Sequence, residues 1–318
     1  MQVLDGLPEP TSERLVVGGG PDDGGVYRMD DGNVMIQSVD FFTPIVDDPD
    51  AFGRIAAANS MSDIYAMGAH PRTALNVTGV PLEDVGLQRL QTILRSSHEK
   101  VEQAGAVVVG GHTVKSPEPF FGLAVTGFSA EDRLIQNDYA EVDDRLILTK
   151  PLGTGILTTA HKNGDIPHEE WLEEGIQWMS RLNEVGATLA ERGLISSMTD
   201  ITGYGFLGHG FEMLGEDHGM EIEYDQLPIL PGIPDLIADG NVPGGTRTNW
   251  SSVEDKVQIE GETEPACWLL ADAQTSGGLL LSVPETNRND VSDLLRSKDL
   301  CSDVVGRVTD QPGAVIHR

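Results

Sequence analysis

The 318-residue sequence predicts a two-domain α/β protein, on three observations. Short β-branched runs alternate with helical patterns through both halves. A polar stretch, EDRLIQNDYAEVDDR (131–145), separates the halves, and a fresh strand, RLILTKPLGTG (145–155), opens the second. The expected division is an N-terminal domain over 1–130, a linker over 131–144 and a C-terminal domain over 145–318. A chain of this length can bury two cores.

In the first half, LVVGGGPDDGGVY (15–27) reads as strand, glycine loop, strand, and NVMIQSVDFF (33–42) as a strand containing Asp40. One helix is expected from Pro49 to Met67. Asp48 caps it, Pro49 suits its first position, Gly68 takes the left-handed cap and Pro71 forbids continuation. Phe52, Ile55, Ala56 and Asn59 share one stripe, while Met61, Ile64 and Tyr65 lie elsewhere around the helix, so it is expected to be packed on most sides. Asn59 and Asp63 are four apart and project together. A carboxylate in such a place needs a cation, a metal or several donors. RTALNVTGVP (72–81) reads as a strand. Residues 80–105 carry Leu87, Leu90, Ile93, Leu94 and Val101 at helical spacing. AVVVGGHT (106–113) reads as a short buried strand ending in a glycine turn, and FFGLAVTGFS (120–129) as another strand. The half is β-β-α-β-α-β-β.

In the second half, two helical stretches lie near 168–192. LISSMTDITGYGFLGHGFEMLGE (194–216) reads as strand, loop, helix. MEIEYDQLPILPG (220–232) reads as a strand with a proline-rich break, and ACWLLADAQTSGGLLLSV (266–283) as helix end, loop, buried strand. CSDVVGRVTD (301–310) is expected to be the last strand. No low-complexity segment or short-period repeat interrupts the pattern.

The charge is unusual: 51 acidic against 21 basic residues, net −30, with 6 lysines, the first at Lys100. The acid is spread along the chain rather than gathered in a tail. That points to a surface adapted to high salt, where screening removes self-repulsion, with an ordinary acidic protein as the alternative. It excludes nucleic acid as a partner. No apolar run reaches a membrane span and no signal peptide opens the chain, so a cytoplasmic place is expected. Cys267 and Cys301 lack metal-site or disulfide-framework spacing, and Cys267 is expected to be a small buried apolar residue.

Four aspartates sit where strands or helices meet loops: Asp23, Asp40, Asp63 and Asp200. Mg²⁺ is held by a few carboxylates plus substrate phosphates. For Asp63 a hydrogen-bonded structural role is the equal alternative, and for Asp22 simple exposure to water is. The glycine loops GGGPDDGG, VGGHT, KPLGTG, GYGFLGHG and QTSGGLL give room for backbone N–H groups to face an anion. The dipeptide GK is absent, which excludes a P-loop. Gly203-Tyr-Gly205-Phe-Leu-Gly208 matches GxGxxG, yet Asp200 repels a pyrophosphate there unless a metal sits between. It reads better as a helix start whose Asp200 serves Mg²⁺. His112 is either an acid/base or phosphate contact or a loop histidine, and His209 leans to packing. Lys150 and Arg247 either reach a phosphate or lie on the surface.

The segments DDGGVYR, SVDFFTPIVDDPDAFGRIAAANSMSDIYAMG, GGHTVKSPEPFFGLAVTG, LTKPLGTGILTTA, MTDITGYGFLGHGFEM, PGGTRTN and AQTSGGLLLSV resemble the selenophosphate synthetase (selenide, water dikinase) family. That family lies within the aminoimidazole-ribonucleotide-synthetase-like superfamily, and the likeness runs from about residue 15 to the C-terminus. The resemblance implies conversion of ATP, selenide and water to selenophosphate, AMP and phosphate. It implies an N-terminal α/β domain that dimerises through its sheet, giving a homodimer, and a C-terminal α/β domain over the nucleotide. It assigns Asp23, Asp63 and Asp200 to Mg²⁺. It assigns Asp22 and Asp40, with Gly111, His112 and Thr113, to ATP, and Asp63 belongs to both sets. DFFTPIVDDP, and GGHT followed by Pro119, speak against the rival enzyme of the superfamily, a thiamine-monophosphate kinase.

The sequence departs from the family pattern in one respect. Members carry an N-terminal glycine-rich segment with a Cys or selenocysteine and a catalytic Lys. Here no Cys precedes Cys267 and no Lys precedes Lys100. The opening MQVLDGLPEP resembles the stretch just C-terminal to that segment, so the pair is expected upstream of Met1 and no catalytic residue is identified in the chain. A start displaced past a selenocysteine codon and a shortened chain rank together as explanations. A degenerate, non-catalytic nucleotide-binding relative ranks below them.

Overall fold

The computed structural model describes residues 12–17, 23–81, 85–261 and 263–318. In the first half, β1 (Leu15–Val17), β2 (Gly25–Arg28), β3 (Asn33–Phe42), β4 (His70–Val80), β5 (Val107–Lys115) and β6 (Phe120–Ala130) form one sheet in the order β1-β2-β3-β6-β4-β5. Among the described residues of this sheet only the β4–β5 pairing is parallel. Helices α1 (Pro49–Ser60), α2 (Ser62–Ala66) and α3 (Leu87–Gln103) pack on one face. Val34, Ile36, Leu123 and Val125 point toward them, buried with Phe52 and Ile55. Among the described residues nothing covers the opposite face. Tyr27, Val39, Phe41, Leu75 and Phe128 stand exposed on it, as alternation along each strand requires.

The expected helix over 49–67 is in fact two. Asp48 caps its start, accepting from Asp50 N–H at 3.2 Å and Ala51 N–H at 3.1 Å, a cap worth about 1 kcal/mol. The helix breaks at Met61. The Ser60 hydroxyl lies 2.9 Å from both Ala56 O and Asp40 O and accepts Leu123 N–H at 3.0 Å. A serine bonding back to the preceding turn bends a helix. Here the bend turns Asp63 toward β3.

The stretch over 106–113 needs a larger correction. It is neither buried nor ended by its glycines: β5 runs on through them to Lys115 as an exposed edge strand. At Gly111 (φ 153°), a Cβ would lie 2.4 Å from Asn76 O, so the close parallel pairing with β4 requires glycine there. Val107 and Val109 stand exposed, while Val108 packs against the core beneath the sheet.

In the second half, β7 (Arg145–Leu148), β8 (Ser197–Asp200), β9 (Gly219–Glu223), β10 (Val257–Ile259), β11 (Leu279–Val283), β12 (Val304–Thr309) and β13 (Gly313–His317) form a mixed sheet, ordered β10-β13-β9-β12-β7-β11-β8. Its helices are α4 (Thr154–Asn163), α5 (Glu169–Met179), α6 (Val185–Glu191), α7 (Gly205–Leu214), α8 (Ile233–Ala238), α9 (Gly244–Val253), α10 (Ala266–Leu270) and α11 (Arg288–Ser297). The sequence reading missed β10 and β13, and the strand within 301–310 is not the last. Both missed strands are short and lie at one margin of the sheet, where neighbours rather than local pattern define them.

The two halves are packed together. Met179, Leu182 and Ala187 of the second half are buried in the core built on α1 and α2. α2 also contacts β8. The end of β8 therefore meets the bend between α1 and α2, and the site lies at that junction.

Candidate functional site

Four of the expected aspartates meet at this junction. Asp23 leads into β2, Asp40 lies on β3, Asp63 opens α2 and Asp200 ends β8. One ligand atom each from Asp23, Asp63 and Asp200 lies within 4.8 Å of the other two. Asp200 is buried, Asp23 and Asp63 partly so. Burial chiefly, and next the charge of Asp200, push Asp63 well above the usual carboxylate range. Burial also raises Asp40, against a hydrogen bond from Asn59 and with the charge of Asp200 adding to it. Asp200 is raised by burial, and His209, Ser62 and Lys150 draw it back down.

The surrounding side chains aim these acids. Thr199 Oγ1 donates to Asp23 at 3.0 Å, the Ser38 hydroxyl donates to Asp63, and Asn59 Nδ2 donates to Asp40. Asn59 Oδ1 accepts Ser276 N–H at 2.9 Å, and Asn183 Nδ2 donates to Ser62 Oγ at 2.8 Å and to Gly277 O at 3.0 Å. Asp200 Oδ2 is buried with no hydrogen-bond partner among the described residues. Carboxylates driven together in low dielectric, with an acceptor left over, make a donor set that fits a hard dication.

Other expected residues do not join the cluster. Asp22 lies outside the described residues. Gly111 is in the sheet row of Asn76, Leu123 and Asp40, three strand spacings from Asp40, or roughly 14 Å. His112 pairs in the row of Val77, Gly122 and Phe41, which places it on the open face, away from the helices; Thr113 is exposed beside it. His209 is packed, as the sequence suggested: its Nε2 accepts Tyr204 N–H at 3.4 Å and its Nδ1 lies 3.1 Å from Glu212. Arg247 stacks its guanidinium over the Trp268 ring at 5.0 Å. Lys150 is neither on the surface nor in an open loop. It is 2 % exposed, and its Nζ donates to Arg181 O at 2.7 Å and Ser276 O at 3.1 Å.

The KPLGTG loop also differs from expectation. Gly153 and Thr154 N–H donate to Gln274 Oε1 at 3.0 and 3.1 Å, and Gly155 and Ile156 N–H to Asp272 Oδ2 at 3.0 and 3.2 Å. A side-chain carboxylate thus takes the place at the α4 N-terminus that a phosphate takes in an anion loop. Gln274 and Asp272 carried no local signal of this; they come from a segment more than a hundred residues away.

Burial pushes Asp272 up to about 7, against the hydrogen bonds it accepts. A carboxyl raised on folding stabilises fully below its unfolded value and loses that contribution as pH rises through the folded value. Asp272→Asn cannot titrate. The stability advantage of the unaltered chain over this variant is therefore expected to shrink between pH 4 and pH 8 in paired thermal melts. A constant advantage would show that Asp272 ionises normally.

The fold and site define a protein of the AIR synthase-related class. Residues 21–129 match the AIR synthase related protein N-terminal domain, and residues 141–318 match the C-terminal domain. A thiamine-monophosphate kinase from Stenotrophomonas maltophilia has the same fold at 16 % identity and TM-score 0.68, covering 96 % of this chain and 91 % of that one. Far closer in sequence is a selenide, water dikinase of Myxococcus xanthus, 41 % identical over 98 % of this chain and 90 % of the relative. Selenide, water dikinase 2 of Peptoclostridium acidaminophilum is 42 % identical over 96 % of this chain and 89 % of the relative. The chain belongs to the selenide, water dikinase family.

Proposed function

We propose that this protein uses ATP, selenide and water to make selenophosphate, releasing AMP and phosphate. One observation carries the reading: three carboxylates from remote parts of the chain meet at the junction of the two halves, in a protein whose relatives are selenide, water dikinases. Asp23, Asp63 and Asp200 would hold Mg²⁺. Bound Mg²⁺ supplies the positive charge that lets an anionic nucleophile approach a triphosphate. The protein's own part is to fix the acids. Thr199, Ser38 and Asn59 hold Asp23, Asp63 and Asp40 in place by donating to them. Asp22 and Asp40 are assigned to the nucleotide, with Asp63 serving both metal and nucleotide.

Gly111, His112 and Thr113 are assigned to the nucleotide as well. The place of His112 on the open face of the edge strand supports a site completed by a second copy docked on that face. Exposed Val39, Phe41 and Leu75 support a homodimer through the same sheet. The net charge of −30 supports a protein that works in high salt. No helix among the described residues is long and apolar enough to cross a membrane, and the cytoplasm is the place this reading gives it. The thiamine-monophosphate kinase alternative has only a likeness of fold behind it.

The test is product analysis. From a chain extended upstream to carry the family's Cys or selenocysteine and its Lys, selenide-dependent conversion of ATP to AMP and phosphate is expected, with a phosphorus signal for selenophosphate. Phosphorylation of thiamine monophosphate with release of ADP would replace this reading with its rival.

A further inference from the structure

Lysine is almost never fully buried without a partner, yet Lys150 is among the largest fully buried side chains here. Among the described residues no carboxylate lies within ion-pair distance of it; its donors meet two backbone carbonyls, Arg181 O and Ser276 O. Burial pulls its pKa down to about 7, and the negative charge of Asp200 works against that. Ser276 is left-handed at φ 51°, a conformation that costs a non-glycine residue about 1–3 kcal/mol and so needs holding. It is held from both sides: Lys150 binds its carbonyl and Asn59 accepts its N–H. Asn59 in turn donates to Asp40. The next residue, Gly277, is clasped by Asn183, which also binds Ser62 beside Asp63. A Cβ at Gly277 would lie 2.0 Å from Ile201 O, next to Asp200.

We infer that Lys150 is a positioning residue that locks the Ser276–Gly277 loop against Asn59 and Asn183, and thereby sets Asp200 of one half at its working distance from Asp40 and Asp63 of the other. This rests on the nucleotide reading above. The bland alternative is a lysine that stabilises the fold and nothing else.

The two are separated by Mn²⁺ titration in the presence of ATP, followed by electron paramagnetic resonance on the full chain. The unaltered protein is compared with Lys150→Met, Asn59→Ala and the double variant. Each single change is expected to weaken Mn²⁺·ATP binding at least ~10-fold, the worth of a charge-assisted hydrogen bond. The double variant is expected to bind no worse than the weaker single one, because both cut the same chain of contacts. Lower melting with unchanged Mn²⁺·ATP affinity in Lys150→Met overturns the inference. So do additive losses in the double variant. Should Lys150→Met fail to fold, Asn59→Ala decides alone, and unaltered affinity there overturns it. An unaltered chain that binds no Mn²⁺·ATP sinks the nucleotide reading first and this inference with it.

Discussion

Asp200→Asn is expected to abolish the stabilisation that ATP and Mg²⁺ together confer, while leaving the ligand-free protein as stable as before or more so. The two effects have one cause. Asp200 is a buried carboxylate held above its ordinary range by desolvation, and Asp63 is raised in part by its charge. Without a dication the cluster is a liability, and a neutral isostere relieves it. With a dication the same carboxylate is a ligand whose loss cannot be made up by the two partners that remain. Ligand at a hundred times Kd stabilises by about 2.7 kcal/mol. For domains of this size that is roughly 5–10 °C in melting temperature. The unaltered chain is expected to show a shift of that order, and the variant a shift within error. A purely structural Asp200 would give the opposite pattern: a ligand-free variant that melts early, with an intact response to Mg²⁺·ATP.

Phe41→Glu is expected to convert the protein from dimer to monomer in sedimentation velocity. Phe41 is 49 % exposed on the open face of an interior strand, with its ring centroid 5.2 Å from that of Phe120. Its side chain is on the face opposite the helix-side residues of β3, which are buried at Val34 and Ile36 and half-buried at Ser38, Asp40 and Phe42, so the substitution does not enter the core. A carboxylate facing its own copy across a two-fold interface brings like charges together in an apolar surround. Because His112 lies in the same row of the sheet, Mg²⁺·ATP affinity is expected to fall with the dimer. The salt reading is scored in the same runs: the unaltered chain is expected to lose its dimer peak and loosen as salt is withdrawn. A monomeric unaltered chain, or one that stays folded and dimeric in low salt, removes the corresponding proposal.

Much of this was legible in the sequence because it is local. Asp48, Pro49 and Gly68 bound the α1–α2 segment by capping chemistry that needs no partner, and the apolar residues around it announced burial. Asp63 stood out as a carboxylate in such a segment. The break at Met61 was not legible, since it depends on where the Ser60 hydroxyl finds Asp40 O. Val107 and Val109 read as core because the sequence shows hydrophobicity but not which sheet face lacks a cover, while Val108 does pack inward. Lys150 and Asp272 were opaque for the same physical reason. Lys150 opens a glycine loop, a setting that suggests solvent or phosphate, and Asp272 carries no local signal; each is bound in part by groups more than a hundred residues away. The pairing of remote loops is a property of topology, and no window of sequence contains it.

The central claim is that ATP is held through divalent ions by carboxylates of both halves. The most direct measurement is calorimetric titration of ATP into the unaltered protein, once with Mg²⁺ and once in chelator. Binding is expected with Mg²⁺ and none in chelator, since the acids alone repel a triphosphate. Equal affinity in the two titrations contradicts the account.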